Sequence, residues 1–270
     1  MAAGTIASYV PREHGAWGIV AIPFVTAVAI AGRLSLPVIL TALAVLGAFV
    51  TRYPLELLLI PNSNLRAGRP EPRQLVASAC TFGLPTLFLG TAVAALWELL
   101  LLWWLALVGL VLFAARVWWG RRGGDRSLTA ELMGTAGLTL SALAGWIAAT
   151  GGLTPEAFWV WGLNALFFGS GVLYVKSRIQ ARRAVRRPED NGAARFAVFF
   201  HFLILVFVVL LVFARWLSPL VAVPFLLAAV RAAHGMTSAP EAPFALRRLG
   251  WSEVALSLVF AAFITAGFRW

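Results

Sequence analysis

The chain contains few charged residues and a single cysteine. Of its 270 residues, 12% are charged and 61% are hydrophobic, whereas a soluble domain has about 25% charged residues and is about half apolar. This shortage of charge excludes a soluble globular domain and indicates a protein whose surface meets lipid. Cys80 is the one cysteine, so an internal disulfide is excluded.

The sequence also lacks the motifs of several enzyme and metal-binding classes. It has no P-loop, no CxxC pair, no HExxH zinc motif and no GxSxG nucleophile elbow. Its three histidines do not have the spacing of metal ligands. Lysine is almost absent as well: Lys176 stands beside 21 arginines. That bias hints that the lone lysine meets a specific need.

The chain has a net charge of +11. Its basic residues lie mostly in short segments between apolar runs, where they report orientation and contact anionic lipid headgroups. We therefore expect the lipid bilayer, and no nucleic acid, as the partner of these charges.

Long apolar runs dominate the remaining sequence. A membrane-spanning helix needs roughly 20 apolar residues, and the 45-residue stretch from Leu75 to Trp119 must hold two such helices, with a turn near Trp97 and Glu98. The sequence therefore predicts an all-α polytopic transmembrane bundle of about nine spans, forming a single integral membrane domain over residues 1–270. The nine runs are Ala16–Ala31, Leu36–Ile60, Leu75–Ala95, Leu99–Trp119, Leu128–Thr150, Pro155–Val175, Phe196–Ala214, Leu217–Ala233 and Gly250–Phe268.

The basic residues are distributed unevenly between the two ends of these runs. If the N-terminus is cytoplasmic, 19 of the 22 basic residues fall on the cytoplasmic side, seven of them between Lys176 and Arg195. Only Arg33, Arg215 and Arg269 fall on the opposite side. Since cytoplasmic loops are enriched in Lys and Arg, the split predicts a cytoplasmic N-terminus.

Ionisable residues close to membrane depth are costly and indicate a functional site by default. Here they begin or end spans on the predicted cytoplasmic side, so they can line one polar chamber that opens to the cytoplasm. The candidate ligand-binding residues are His14, Arg52, Glu56, Glu131, Lys176 and Arg178. The same set of span ends also carries Arg116, Arg195, His201, Arg231, His234 and Glu253.

Each of these residues also has a purely structural interpretation. Arg52 and Glu56 are four residues apart and can pair on one helix face. Arginines and lysines near span ends can extend to the headgroups, which would account for Arg116, Lys176 and Arg231. The helix dipole stabilises acidic side chains in the first turn of a helix, and this would account for Glu131 and Glu253. In the fifth run, Gly137, Ser141 and Gly145 form a small-residue face suited to close helix packing.

Three segments resemble one known family. The motif PREHGAWG from Pro11, the segment ELMGTAGLTLSALAGW from Glu131 and YVKSR from Tyr174 are similar to the YwiC-like family of bacterial membrane proteins. The resemblance spans nearly the whole chain. It implies a multi-pass protein of the bacterial plasma membrane, and it implies no particular reaction.

The span count and orientation also resemble those of UbiA-type prenyltransferases. That resemblance implies nine helices, an inner N-terminus and a cytoplasm-facing chamber whose magnesium-diphosphate site uses aspartate-rich motifs after helices 2 and 6. This chain has Arg52 and Glu56 near the end of the second run and Lys176 and Arg178 after the sixth. Magnesium needs oxygen ligands, so we expect no metal cofactor, and the basic groups would bind a phosphate directly.

Three function classes remain open, and the residues leave undecided whether the protein is an enzyme. The first is a protein that binds or modifies an isoprenoid or lipid phosphate in a cytoplasm-facing polar chamber. The second is a small anion transporter, although no internal repeat or broken helix pair is evident. The third is an accessory or scaffold membrane protein. A chamber with a side opening to lipid would favour the first class.

Overall fold

A computed structural model describes residues 14–60, 71–124, 127–184, 192–237 and 246–269. These residues are helical almost throughout and contain no strand. The ten α-helices are α1 (His14–Ala31), α2 (Leu36–Leu59), α3 (Pro72–Leu96), α4 (Leu101–Trp119), α5 (Leu128–Thr139), α6 (Ser141–Thr150), α7 (Pro155–Ala184), α8 (Gly192–Phe213), α9 (Ala222–Thr237) and α10 (Leu246–Arg269). A π-helical turn, Gly120–Gly124, follows α4, and a 3-10 turn, Pro219–Val221, precedes α9.

Most of these helices have the length and composition of membrane spans. Seven helical segments of the described chain are long and apolar enough to cross a bilayer, with α5 and α6 acting as one segment. Two shorter apolar helices, Gly15–Ala31 and Pro219–Gly235, correspond to the first and eighth predicted runs. The prediction of an all-α polytopic membrane bundle is confirmed.

The chain divides into two compact units, residues 1–161 and residues 162–270. In the first unit, α5 and α6 form the most buried span, and every residue from Ala142 to Ala149 is buried. Helix α6 packs against α1 and α2, while α2 packs most extensively against α3. The single membrane domain over residues 1–270 stays a prediction.

Small residues bring the helices of the first unit close together. A Cβ atom built at Gly145 would lie 2.9 Å from the Phe24 carbonyl oxygen, so only glycine fits at this contact between α6 and α1. One turn earlier, the Ser141 hydroxyl donates to the Val20 carbonyl at 2.7 Å. The predicted packing face of the fifth run therefore lies against α1 at Ser141 and Gly145, whereas Gly137 faces Leu112 of α4.

The second unit has an aromatic centre. Phe260 of α10 is fully buried and stacks on Phe167 of α7 with 4.1 Å between ring centroids. Phe225 of α9 meets the Phe260 ring edge-on, with 5.9 Å between the ring centroids. Since aromatic pairs prefer such stacked and edge-to-face arrangements, these three rings hold α7, α9 and α10 together.

Several predicted boundaries differ from the observed ones. The fifth run is interrupted at Leu140, which separates α5 from α6, and the sixth continues to Ala184 instead of ending near Val175. Helix α10 begins at Leu246, so Glu253 lies two turns into the helix and the first-turn interpretation of this acid is wrong. The turn predicted at Trp97 and Glu98 is confirmed, since Glu98 has a positive φ of 57° between α3 and α4.

Candidate functional site

A cavity of about 550 Å³ lies within the first unit, between α1, α2, α3, α4 and the α5–α6 span. Small-molecule sites in proteins commonly enclose about 300–1,000 Å³, so this cavity has the size of a ligand site. On α2 its lining runs from Thr41 to Leu55, and on α4 from Leu102 to Arg116. Each stretch covers 14 residue steps, or about 21 Å of helix, so the cavity is elongated along the helices.

The cavity wall is largely apolar. Gly90, Gly109 and Gly137 contribute no side chain. The threonine hydroxyls of Thr51 and Thr86 are used within their own helices, because each donates to the carbonyl four residues earlier at 2.7 Å. A wall of this kind suits a hydrocarbon chain, which brings no hydrogen-bonding groups that need partners.

One side of the cavity reaches the outer surface of the first unit. Leu87 of α3 and Trp103 and Leu110 of α4 line the cavity, yet they are 57%, 45% and 61% exposed. Helix α3 contacts α4 much less than it contacts α2. The cavity therefore has a lateral opening between α3 and α4, on a surface of exposed apolar side chains that would face lipid.

Two arginines and one glutamate lie where α2 and α4 reach the end of the cavity. Arg52 and Arg116 line the cavity, and both bind Glu56. The Glu56 Oε1 atom is 3.1 Å from Arg52 Nε and 2.8 Å from Arg116 Nε, and Arg116 Nη2 donates to Oε2 at 3.3 Å. Two guanidinium groups therefore lie at one end of an otherwise apolar cavity, and we call Arg52, Arg116 and Glu56 the cationic cluster.

The second arginine is also held by the backbone of α5. Arg116 Nη1 donates to the Ala130 carbonyl at 3.4 Å. A Cβ built at Gly134 would lie 3.7 Å from Arg116 Cδ, an ordinary van der Waals distance, so the aliphatic part of Arg116 runs along this face of α5. Arg116 therefore joins three helices at the cationic end of the cavity.

The structure brings some of the six predicted ligand residues together. Arg52 and Glu56 share the cationic cluster, and their predicted pairing is confirmed. Glu131 lies in the first turn of α5, next to the residue whose carbonyl binds Arg116. The His14 side chain lies outside the described residues. Whether the six residues form one site remains a prediction.

The other two predicted residues, Lys176 and Arg178, belong to the second unit and are partly exposed. Arg178 donates through Nη1 to the carbonyl of Gly235, in the last turn of α9. Helix C-termini present carbonyls without intrahelical partners, so this contact explains Arg178 structurally.

The sequence left Arg116 and Arg231 open to two interpretations, extension to lipid headgroups or a polar site, and the structure pairs each of them with a glutamate. Arg116 binds Glu56, as described above. Arg231 Nη1 and Nη2 bind Glu253 at 2.5 and 3.3 Å, and its guanidinium lies 4.3 Å from the centre of the Tyr174 ring. The sequence did contain a signal for these pairs, because an arginine within a nearly uncharged span needs a partner inside the protein.

The described residues contain no group of three or more His, Cys, Asp and Glu side chains placed to hold a metal ion. The cluster at the end of the cavity offers a single carboxylate, which is already bound by two guanidinium groups. A metal-free anion site remains our expectation for these residues.

Comparisons with known proteins place part of this chain in context. Residues 10–146 match the family described as "YwiC-like protein". The chain is similar to "Uncharacterized protein YwiC" from Bacillus subtilis (strain 168), with 28% identity over 178 residues that cover 64% of this chain and 68% of that protein. No solved structure matches. The residues that line the cavity lie between 20 and 144, entirely inside the matched range.

Proposed function

Because the chain belongs to the YwiC-like protein family, we propose that the part it shares with that family binds a lipid with an anionic headgroup, such as an isoprenoid or lipid phosphate. The observation that supports this most is the elongated apolar cavity that ends at Arg52 and Arg116. The hydrocarbon tail would lie along the apolar wall. The headgroup would lie at the arginines.

The charges and the opening both fit this ligand class. A guanidinium donates to phosphate oxygens in a fork geometry that lysine cannot reproduce, and two guanidiniums converge at this end of the cavity. The lateral opening between α3 and α4 offers a path from the bilayer, so a lipid would enter without crossing water. An apolar molecule without charge would leave the arginines unused.

The sequence's charge split supports an orientation for this site. With a cytoplasmic N-terminus in a bacterial plasma membrane, the Arg52 end of α2 lies at the cytoplasmic face. The ligand headgroup would then be presented to the cytoplasm. Reaction or release would occur on that side.

Lipid retention by purified protein tests the proposal. Purified protein in detergent would be loaded with farnesyl phosphate and analysed by native mass spectrometry, together with the variants Arg52→Gln and Arg116→Gln. Each charge-assisted hydrogen bond contributes about 1.5–3 kcal/mol, so each variant should bind about tenfold more weakly or worse. Arg33→Gln removes an exposed arginine between α1 and α2 and serves as the charge-matched control. Equal retention by all four proteins would contradict the proposal and favour an accessory role.

A second candidate function is anion transport, since Arg52 and Arg116 at the end of the cavity would also bind a free anion. A transporter would move phosphate across proteoliposomes. The lipid-binding proposal predicts no phosphate flux above that of protein-free liposomes.

A further inference from the structure

The Glu56 carboxylate occupies the place at the arginines that a ligand phosphate would take. Both of its oxygens are used: Oε1 is shared by the Nε atoms of Arg52 and Arg116, and Oε2 accepts from Arg116 Nη2. The Nε and Nη2 groups form the edge with which an arginine binds a carboxylate or phosphate in a bidentate manner. On Arg116 that edge is therefore filled by Glu56.

Arg116 has support that does not depend on Glu56. Its Nη1 group donates to the Ala130 carbonyl, and its aliphatic part packs by Gly134. The Glu56 carboxylate, in contrast, comes from α2 and is held, among the described residues, by its bonds to Arg52 and Arg116. An exchange of anions at this position would therefore move Glu56 and leave Arg116 in place.

We propose that Glu56 is a built-in competitor of the ligand headgroup, so that binding exchanges its carboxylate for a phosphate on Arg52 and Arg116. This inference rests on the proposed function. It restricts the ligand class further: a phosphate or diphosphate has the charge and the paired oxygens to replace a bidentate carboxylate, whereas a lipid alcohol has neither. The site selects prenyl or alkyl phosphates against the corresponding alcohols.

The variant Glu56→Gln tests the competition. It keeps the size of the side chain and removes the charge that competes for the arginines, so farnesyl phosphate should bind about tenfold tighter, a change of about 1.4 kcal/mol. Binding of farnesol should not change. Glu98→Gln, which removes an exposed acid in the turn after α3, is the matched control and should bind like wild type.

A second variant covers the case in which Glu56→Gln does not fold. Glu56→Asp keeps the charge but withdraws the carboxylate by one methylene, so it cannot reach both arginines equally, and it should also bind farnesyl phosphate more tightly than wild type. Weaker or unchanged binding by the folded Glu56 variants would overturn the competition and make Glu56 a positioning residue. That result leaves the proposed function standing, provided that Arg52→Gln and Arg116→Gln still lose binding.

Binding of inorganic phosphate shows whether the arginines recognise a lipid headgroup or a free phosphate ion. Under the proposal, inorganic phosphate binds much more weakly than farnesyl phosphate, because the tail contributes most of the buried apolar area. Equal binding of the two probes would assign the arginines to a free phosphate ion and overturn the lipid selection. If neither arginine variant loses farnesyl phosphate, the proposed function itself fails, whatever Glu56→Gln does.

Discussion

The contact between α6 and α1 at Gly145 leads to a quantitative prediction about stability. A Cβ atom at this position would lie 2.9 Å from the Phe24 carbonyl oxygen and 3.2 Å from Val28 Cγ2. Carbon–oxygen contacts between helices are normally about 3.3–3.6 Å, so the alanine methyl group is roughly half an ångström too close to a backbone atom. Neither helix can relieve this by a side-chain rotation. Gly145→Ala should therefore destabilise the protein by about 1–3 kcal/mol, the usual cost of overpacking.

Gly137→Ala is the matched control, because Gly137 lies about two turns earlier in the same span and faces α4 instead of α1. There the added Cβ would be 3.9 Å from Leu112 Cβ, an ordinary van der Waals contact, so the substitution should be neutral or slightly stabilising through its higher helix propensity. The free energy of unfolding of both variants would be measured in detergent by titration with denaturant, with circular dichroism as the signal. If Gly145→Ala were as stable as Gly137→Ala, α6 would not approach α1 as closely as described.

Three further predictions concern the cavity, the second unit and the topology. Gly90→Leu places a side chain in the cavity, where a Cβ meets nothing within 4 Å, and it should abolish farnesyl phosphate retention while the melting temperature stays near that of wild type. Arg231→Gln removes both hydrogen bonds to Glu253 and should cost about 1.5–3 kcal/mol in denaturant unfolding, part of which Glu253→Gln in the same chain should restore. Reporter fusions at three loop positions, Arg126, Glu189 and Glu241, should all report a cytoplasmic location. A periplasmic location at any one of them would contradict the count of nine spans.

The local features of the fold could be predicted from the sequence because they depend on neighbours in the chain. The apolar runs gave the spans, since hydrocarbon thickness fixes their length. Arg52 and Glu56 were expected to pair because residues four apart share a helix face, and the structure confirms it. Gly145 was expected to pack closely because its neighbours at four-residue spacing are small.

The interactions between distant segments could not be predicted in this way. Arg116 pairs with Glu56 across 60 residues, and no local pattern indicates which helices meet. The charged segment after Val175 was expected to end a span, but charge does not end a helix, and α7 continues through Lys176 and Arg178 to Ala184. The interruption at Leu140 also lacks a sequence signal such as proline.

Mapping the site of contact with a photoreactive lipid tests the central claim most directly. A farnesyl phosphate analogue with a diazirine in its tail would be crosslinked to the protein in membranes, and the labelled peptides identified by mass spectrometry. The account predicts labels on cavity residues that are not exposed to lipid, such as Leu112, Met133 and Leu138, which unlabelled farnesyl phosphate should suppress. Labels that instead fall mainly on exposed residues of α8, such as Phe199 and Phe202, and resist competition would contradict it.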